Sequence, residues 1–288
     1  MKKVSKIRVS ITRECCYKCV YCHNETSTCE DKKFMTLENF KKVLEYTKSN
    51  DIKFDEIRIT GGEPMLNPEC FDILSYITDN YPKAKIGLNT SLVVNIPEIL
   101  KIIKGTNLSK LVVGIDRNDE VSKLSPISNG TISTKEVFKN LEILINFIQK
   151  ENKYIKIMVD TVLFGQKDEE IFEVNKMVNH LRKENQFPIH NVILEYFEYG
   201  NYGMCDVKDV EGFVKRLINE YDFINSTNDA RERFDINNKN KEVFIDKDDN
   251  VIGVFKSFCR RKMCNTCMAY QIVFNSSGKS FVCDKLEK

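Results

Sequence analysis

The sequence predicts an α/β protein: a partial (β/α)6 TIM-like barrel over residues 1–200, followed by a smaller C-terminal region over residues 201–288. Three observations predict it. Short strand-like apolar stretches alternate with amphipathic helical ones up to about residue 198, the pattern of parallel strands joined by right-handed crossovers. Within the strand-like stretches apolar and polar residues alternate one by one. Beyond residue 200 this rhythm stops. Six strand units are fewer than the eight of a closed barrel, so the barrel is expected to be open.

The predicted strands are Lys6–Thr12, Glu56–Thr60, Lys85–Thr90, Lys110–Asp116, Tyr154–Leu163 and Asn191–Phe197. The predicted helices are Leu37–Ser49, Glu69–Asn80, Pro97–Lys104, Thr134–Lys150 and Glu169–Glu184. Thr36, with Asn39 three residues on, suits a helix start, and Ser133 or Thr134 suits the start of the fourth helix. Asp209–Tyr221 reads as one more helix. Ser226–Lys241 is polar and reads as a loop, and Glu242–Lys288 as short strands with turns at Lys247–Asn250 and Asn275–Gly278.

Alternate residues of a barrel strand point inward and outward. Ile7, Val9 and Ile11 form one face of the first strand, and Arg8, Ser10 and Thr12 the other. Ile57 and Ile59 oppose Arg58 and Thr60, Ile86 and Leu88 oppose Gly87 and Asn89, and Val113 and Ile115 oppose Gly114 and Asp116. The apolar set is expected to pack under the helices. The polar set, with Asp160 and Glu195, is expected to line the interior, which is costly unless it holds water or a ligand. Arg8, Arg58 and Glu195 are thereby candidate substrate contacts.

Lysine and arginine number 44 against 42 aspartate and glutamate, a net charge of +2 that offers no argument for nucleic-acid or membrane binding. No apolar run approaches the length of a membrane span, and Met1–Lys6 lacks the apolar stretch of a signal peptide, so a cytoplasmic protein is expected. In that reducing compartment eleven cysteines point to metal binding or chemistry rather than disulfides.

The cysteines cluster at the two ends. Cys15, Cys19 and Cys22 form C-x3-C-x2-C directly after the first strand, with Tyr21 before the last. Three thiolates in one loop suit three irons of a cubane, leaving the fourth iron open to a small chelating ligand. Zinc is the alternative, with His23 as a fourth ligand of awkward geometry next to Cys22. The second strand ends in Gly61-Gly62-Glu63-Pro64, where two glycines permit a close backbone approach. At the back, Cys264-Asn265-Thr266-Cys267 with Cys259 and Cys283 fits a zinc ribbon or an Fe–S cluster equally. Cys16, Cys29, Cys70 and Cys205 read as structural or incidental.

With these motifs the chain resembles the radical S-adenosylmethionine (SAM) superfamily over about residues 4–200. The resemblance implies that Cys15, Cys19 and Cys22 hold a [4Fe–4S] cluster whose open iron takes the amino and carboxyl groups of SAM. It implies that Gly61, Gly62, Glu63 and Pro64 contact the SAM methionine and that Asn89, Thr90 and Ser91 line the same site. Tyr21, Gly114, Asp116 and Asp160 complete the expected cofactor-binding set. The implied chemistry is reductive cleavage of SAM to a 5′-deoxyadenosyl radical that takes hydrogen from a substrate, with electrons from a donor such as flavodoxin or ferredoxin.

The whole chain is most similar to the MoaA-like branch, the molybdenum-cofactor cyclases and their relatives. Ile7–Arg13, Asp160-Thr161-Val162, Leu194–Gly200 and the C-terminal C-x2-C…C carry that similarity. It implies that Cys264, Cys267 and Cys283 hold a second, auxiliary Fe–S cluster; Cys259, in the same cysteine-rich segment, is expected as a fourth ligand that closes it, and without Cys259 one iron stays open. Two arginines of the cyclases after the C-x2-C are replaced here by Ala269 and Gln271, so the scaffold and clusters carry over but GTP cyclisation does not. The expected function is a radical SAM oxidoreductase or synthase acting on a small molecule or, alternatively, a peptide. A non-catalytic zinc-binding protein is the rival of another class.

Overall fold

Ile7, Val9 and Ile11 are fully buried, while the intervening Arg8 and Ser10 keep partial exposure, and the apolar half of this two-residue rhythm recurs in the fully buried Ile57, Ile59, Ile86 and Leu88. In the computed structural model, which describes residues 2–17, 19, 34–116, 134–164, 166–195, 209–226, 241–256, 271–274, 276–278 and 280–281, that rhythm produces a twisted parallel sheet. The elements in chain order are β1 (Lys2–Ser10), α1 (Leu37–Ser49), β2 (Ile52–Thr60), a 3-10 turn (Pro64–Leu66), α2 (Cys70–Asn80), β3 (Lys85–Thr90), α3 (Ile96–Gly105) and β4 (Leu108–Gly114). They continue with α4 (Thr134–Lys150), β5 (Lys156–Leu163), α5 (Asp168–Asn185), β6 (Ile189–Glu195), α6 (Val210–Asn219), β7 (Ile224–Asn225), β8 (Lys241–Ile245), β9 (Val251–Phe255), β10 (Gln271–Phe274) and β11 (Ser280–Phe281).

The strand order is β11-β10-β1-β2-β3-β4-β5-β6-β9-β8-β7. The first six strands lie in sequence order and pair in parallel, as the strand–helix alternation predicts. The outward set of Ile7, Val9, Ile57, Ile59, Ile86, Leu88, Leu111 and Val113 joins Phe40, Leu44, Ile73, Leu74 and Ile102 in one core beneath the helices. Burial of this kind is worth roughly 25 cal/mol per Å2 of apolar surface and fixes the register, because a one-residue slip would turn every isoleucine into the lumen. Thr36 starts α1 as predicted, its Oγ1 accepting from the Asn39 N–H at 3.2 Å, and Asp209 caps α6, accepting from Glu211 and Gly212 N–H at 3.1 and 3.0 Å.

The C-terminal segment does not stand apart from this sheet. Strand β9 pairs in parallel with β6, and β10 in parallel with β1, so the region after residue 200 extends both ends of the six-strand array. Five of the six strands differ in their limits from the sequence reading: β2 starts at Ile52 rather than Glu56 and β5 at Lys156 rather than Tyr154. β1 starts at Lys2 and stops at Ser10, because Thr12 leaves the sheet to bridge Phe34. β4 ends at Gly114 rather than Asp116, and β6 spans Ile189–Glu195 rather than Asn191–Phe197. Glu195 pairs in register with Leu163 and alternates with Leu194. That register places Glu195 on the helix side with Ile193, a correction to its expected place in the lumen; Leu194 instead packs with the inward Val112, Met158 and Val192.

Candidate active site at the C-terminal ends of the strands

Three segments converge where β1, β2 and β3 end, the position at which parallel barrels place their chemistry. The first is the stretch after β1 that carries Cys15 and Cys19. The second is Gly61–Pro64, and the third is Thr90 and Ser91.

The glycines join the first two. Gly62 N–H donates to Thr12 O at 2.9 Å, and Glu63 N–H donates to Glu14 O at 2.7 Å. A Cβ on Gly61 would stand 2.5 Å from Thr12 O, and Gly61 holds φ at +151°, where side chains are strained. A Cβ on Gly62 would press into the Glu14 carbonyl, with Arg13 O at 2.8 Å. The close approach foreseen for a ligand is thus made first to the chain's own backbone, which sets the cysteine-bearing segment against the end of β2.

Glu63 joins the second and third. Its side chain is fully buried and accepts from Met65 N–H at 3.0 Å, Thr90 Oγ1 at 2.8 Å, Ser91 N–H at 2.6 Å and Ser91 Oγ at 2.5 Å. Burial pushes the carboxyl above its ordinary range, and these donors oppose that shift. Ser91 Oγ lies 3.7 Å from Cys16 Sγ, so the network reaches the cysteine segment. Cys16, read from sequence as incidental, is therefore part of this contact. Cys70 is buried in α2, as a packing residue should be.

Cys15 and Cys19 are both partly buried. The hydrogen bond with Cys16, then burial, pushes the Cys15 thiol well above its usual range, Cys19 adds to this, and the Tyr17 N–H at 3.4 Å works the other way. A bound cation would release the proton of a thiol held this way, and the sulfur donors Cys15 and Cys19 fit an Fe–S cluster. Cys22 and Tyr21 lie outside the described residues, as do Cys259, Cys264, Cys267 and Cys283. Among the described residues, no group of three or more ligating side chains is assembled for a metal ion.

Gly114 sits at the end of β4 with open space where a Cβ would be. Asp116, beyond it, is buried and accepts from Val162 N–H at 3.1 Å, which ties the end of β4 to β5. Asn89 faces the lumen, where its Oδ1 is buried without a hydrogen-bond partner. Asp160 stands level with Gly114, and Arg8 and Arg58 lie lower, with Arg58 held by Glu56 at 2.7 and 2.5 Å.

Two kinds of residue escaped the sequence reading. Asn67 Nδ2 donates to Ile11 O at 2.8 Å and Met35 O at 2.9 Å, clasping the two stems of the cysteine segment. Lys241, Lys110 and Lys6 act with Arg58 on Asp160 electrostatically, and Lys156 acts on Lys110 and Lys241. For Lys6 and Lys110 the available signal was position, since they alternate with Ile7 and Leu111.

The radical SAM superfamily matches residues 9–178, and the chain belongs to that superfamily. The family implies a [4Fe–4S] cluster and SAM. Relatives include the GTP 3',8-cyclase of Aquifex aeolicus, 24% identical over 290 residues, which cover 96% of this chain and 81% of that protein. A probable GTP 3',8-cyclase of Methanococcus maripaludis is 29% identical over 144 residues, and the match spans 49% of this chain and only 47% of that protein. The fold matches SuiB of Streptococcus suis bound to S-adenosylmethionine, with a TM-score of 0.64 and 15% identity over 98% of this chain and 60% of that one. It also matches anSMEcpe with bound AdoMet, with a TM-score of 0.60 and 17% identity over 98% of this chain and 75% of that one.

Proposed function

We propose that the chain is a radical SAM oxidoreductase or synthase that generates a 5′-deoxyadenosyl radical and uses it to take hydrogen from a small-molecule or peptide substrate. The observation that carries this reading is the Glu63 network, which locks the Cys15–Cys19 segment, the Gly-Gly-Glu-Pro turn and the Thr90-Ser91 corner into one strand-end site. Cys15, Cys19 and Cys22 would hold the cluster. When bound, the cluster supplies, from a low-potential donor such as flavodoxin or ferredoxin, the electron that splits the SAM sulfonium.

The protein's own part is positional. Gly61 and Gly62 fix the cysteine segment, Glu63 orients Ser91, and Gly114 leaves room at the mouth for a bulky ligand. Cys259, Cys264, Cys267 and Cys283 would hold a second Fe–S cluster, and their flanking strands β9 and β10 belong to the same sheet as the site. The division into a core over 1–200 and a cluster-binding region over 201–288 is part of this proposal.

Anaerobically purified protein is expected to be brown, to contain iron and sulfide, and to release 5′-deoxyadenosine from SAM on reduction. Cys19→Ala should abolish that release, and Cys267→Ala should lower iron content by about half, the share of a second four-iron cluster. Zinc without a brown chromophore, or SAM cleavage persisting in Cys19→Ala, would overturn the reading.

A further inference from the structure

The chain between Thr12 and Phe34 carries Cys15, Cys19 and Cys22, and both of its ends are tied to one short segment, Gly62–Glu69. The two ends first meet through backbone: Met35 N–H donates to Ile11 O at 2.8 Å, and Thr12 bridges Phe34. The outgoing end is then pinned by Gly62 and Glu63, whose N–H groups reach Thr12 O and Glu14 O. The returning end is pinned by side chains. Asn67 Nδ2 donates one hydrogen to Met35 O at 2.9 Å and the other to Ile11 O at 2.8 Å. Glu69 Oε2 accepts at 2.8 Å from the N–H of Leu37, the first residue of α1.

Both hydrogens of the Asn67 amide are thus spent, and its Oδ1 accepts from Glu69 N–H at 2.9 Å. One buried amide therefore joins the outgoing stem, the returning stem and the residue that holds α1. Side chains of similar size do not fit this place: Asp has no hydrogen to give when ionised, Ser gives one, Leu none, and Gln carries an extra methylene. Ile11 and Met35 are fully buried, so bulk water does not reach their carbonyls. The amide is also rigidly mounted. Glu63 and Asn67 are the two caps of the 3-10 turn; Asn67 N–H donates to Pro64 O at 2.9 Å, and Asn67 O accepts from Cys70 N–H at 3.1 Å at the start of α2. One turn thus carries at its first cap the carboxylate that fixes the Ser91 corner and at its last cap the amide that closes the cysteine loop.

A loop whose ends are already held loses less entropy when its thiolates gather round a metal than one whose ends drift. We propose that Asn67 and Glu69 are positioning residues for the iron–sulfur cluster. Acting through the backbone of Ile11, Met35 and Leu37, they keep the two ends of the cysteine loop together, so that its thiols are gathered before iron arrives and stay gathered afterwards. The proposal rests on the reading of Cys15, Cys19 and Cys22 as cluster ligands. It adds that retention of the cluster is governed from outside the loop, by side chains that are not themselves ligands.

The test follows loss of iron to a ferrous chelator from anaerobically reconstituted full-length protein. Asn175→Leu is the control, because Asn175 is an equally buried asparagine whose Nδ2 donates to Val251 O at 2.8 Å in another part of the sheet. Asn67→Leu and Glu69→Ala should each release iron about tenfold faster than wild type, the weight of one lost buried hydrogen bond. Glu69→Gln keeps an oxygen for Leu37 N–H and should restore the wild-type rate. Asn175→Leu should lower Tm without hastening release. A wild-type rate in either Asn67→Leu or Glu69→Ala would overturn the proposal, and so would fast release in Asn175→Leu or Glu69→Gln, the mark of general loosening. A wild type that takes up no iron would instead strike the radical reading. The tie is then read on the metal-free chain by hydrogen exchange: faster exchange of the Met35 and Leu37 amides in Glu69→Ala supports it, and unchanged exchange overturns it.

Discussion

Ser91 gives both its backbone N–H, at 2.6 Å, and its hydroxyl, at 2.5 Å, to one oxygen of Glu63, although 28 residues separate them. The bonds tie the end of β2 to the end of β3 beyond the last sheet pairing, Ile59 with Leu88. The corner is thereby fixed by a side chain where the backbone ladder has already ended.

Glu63→Ala is expected to strand four buried or partly buried donors, each worth about 1–3 kcal/mol when left unsatisfied. Glu63→Gln keeps the shape but turns one acceptor into a donor facing donors, so it should be nearly as harmful. Urea unfolding should show both losses, and equilibrium dialysis should show SAM binding weakened at least tenfold. A Glu63→Gln variant with wild-type stability and SAM affinity would contradict the role given to this carboxylate.

The glycines separate fold from ligand. Gly62→Ala should push the Glu14 backbone away and lower iron and sulfide incorporation, because the space is already taken. Gly114→Ala meets nothing within 4 Å, so stability should hold within about 0.5 kcal/mol. If SAM occupies the mouth, Gly114→Ala weakens its binding without changing Tm. Equal effects of both substitutions on iron content would refute the distinction.

The lumen lysines set a pH dependence. Between about 7 and 10.5 Lys241 is largely neutral in the folded protein but protonated when unfolded, and Lys110 behaves alike from about 8. The unfolded state then binds more protons, so stability rises with pH through this window, by up to about 1.4 kcal/mol per pH unit per lysine. Below pH 7 the full penalty stands; above 10.5 it is gone. Denaturation at pH 6.5 and 9.5 in anion-free buffer should show the rise, and Lys241→Met should flatten it. A stability that falls over this range would show the lysines to be compensated.

Much of this architecture was legible because local pattern and global fold agree. Leu37–Ser49, Lys85–Thr90 and Thr134–Lys150 keep their predicted limits, since caps and periodicity are local signals. The pairing of β10 with β1 was not legible, for it joins residues more than 260 positions apart. Glu195 was misplaced because it was weighed by polarity at a strand end, whereas register with Leu163 decides its side. Lys110 and Lys156 were passed over because a lysine in a strand usually reads as solvent-facing. Only the barrel's curvature turns that face inward.

The pairing of β9 with β6 and of β10 with β1 has a practical consequence for anyone trimming the chain. A fragment ending at residue 200 would leave two long parallel strands with unsatisfied backbone groups along their outer sides, a template for intermolecular pairing and aggregation. The C-terminal segment therefore acts as a hem on the barrel, and solubility of the core should depend on it for covered edges as well as for the packing that Phe274, Phe213 and Ile252 add.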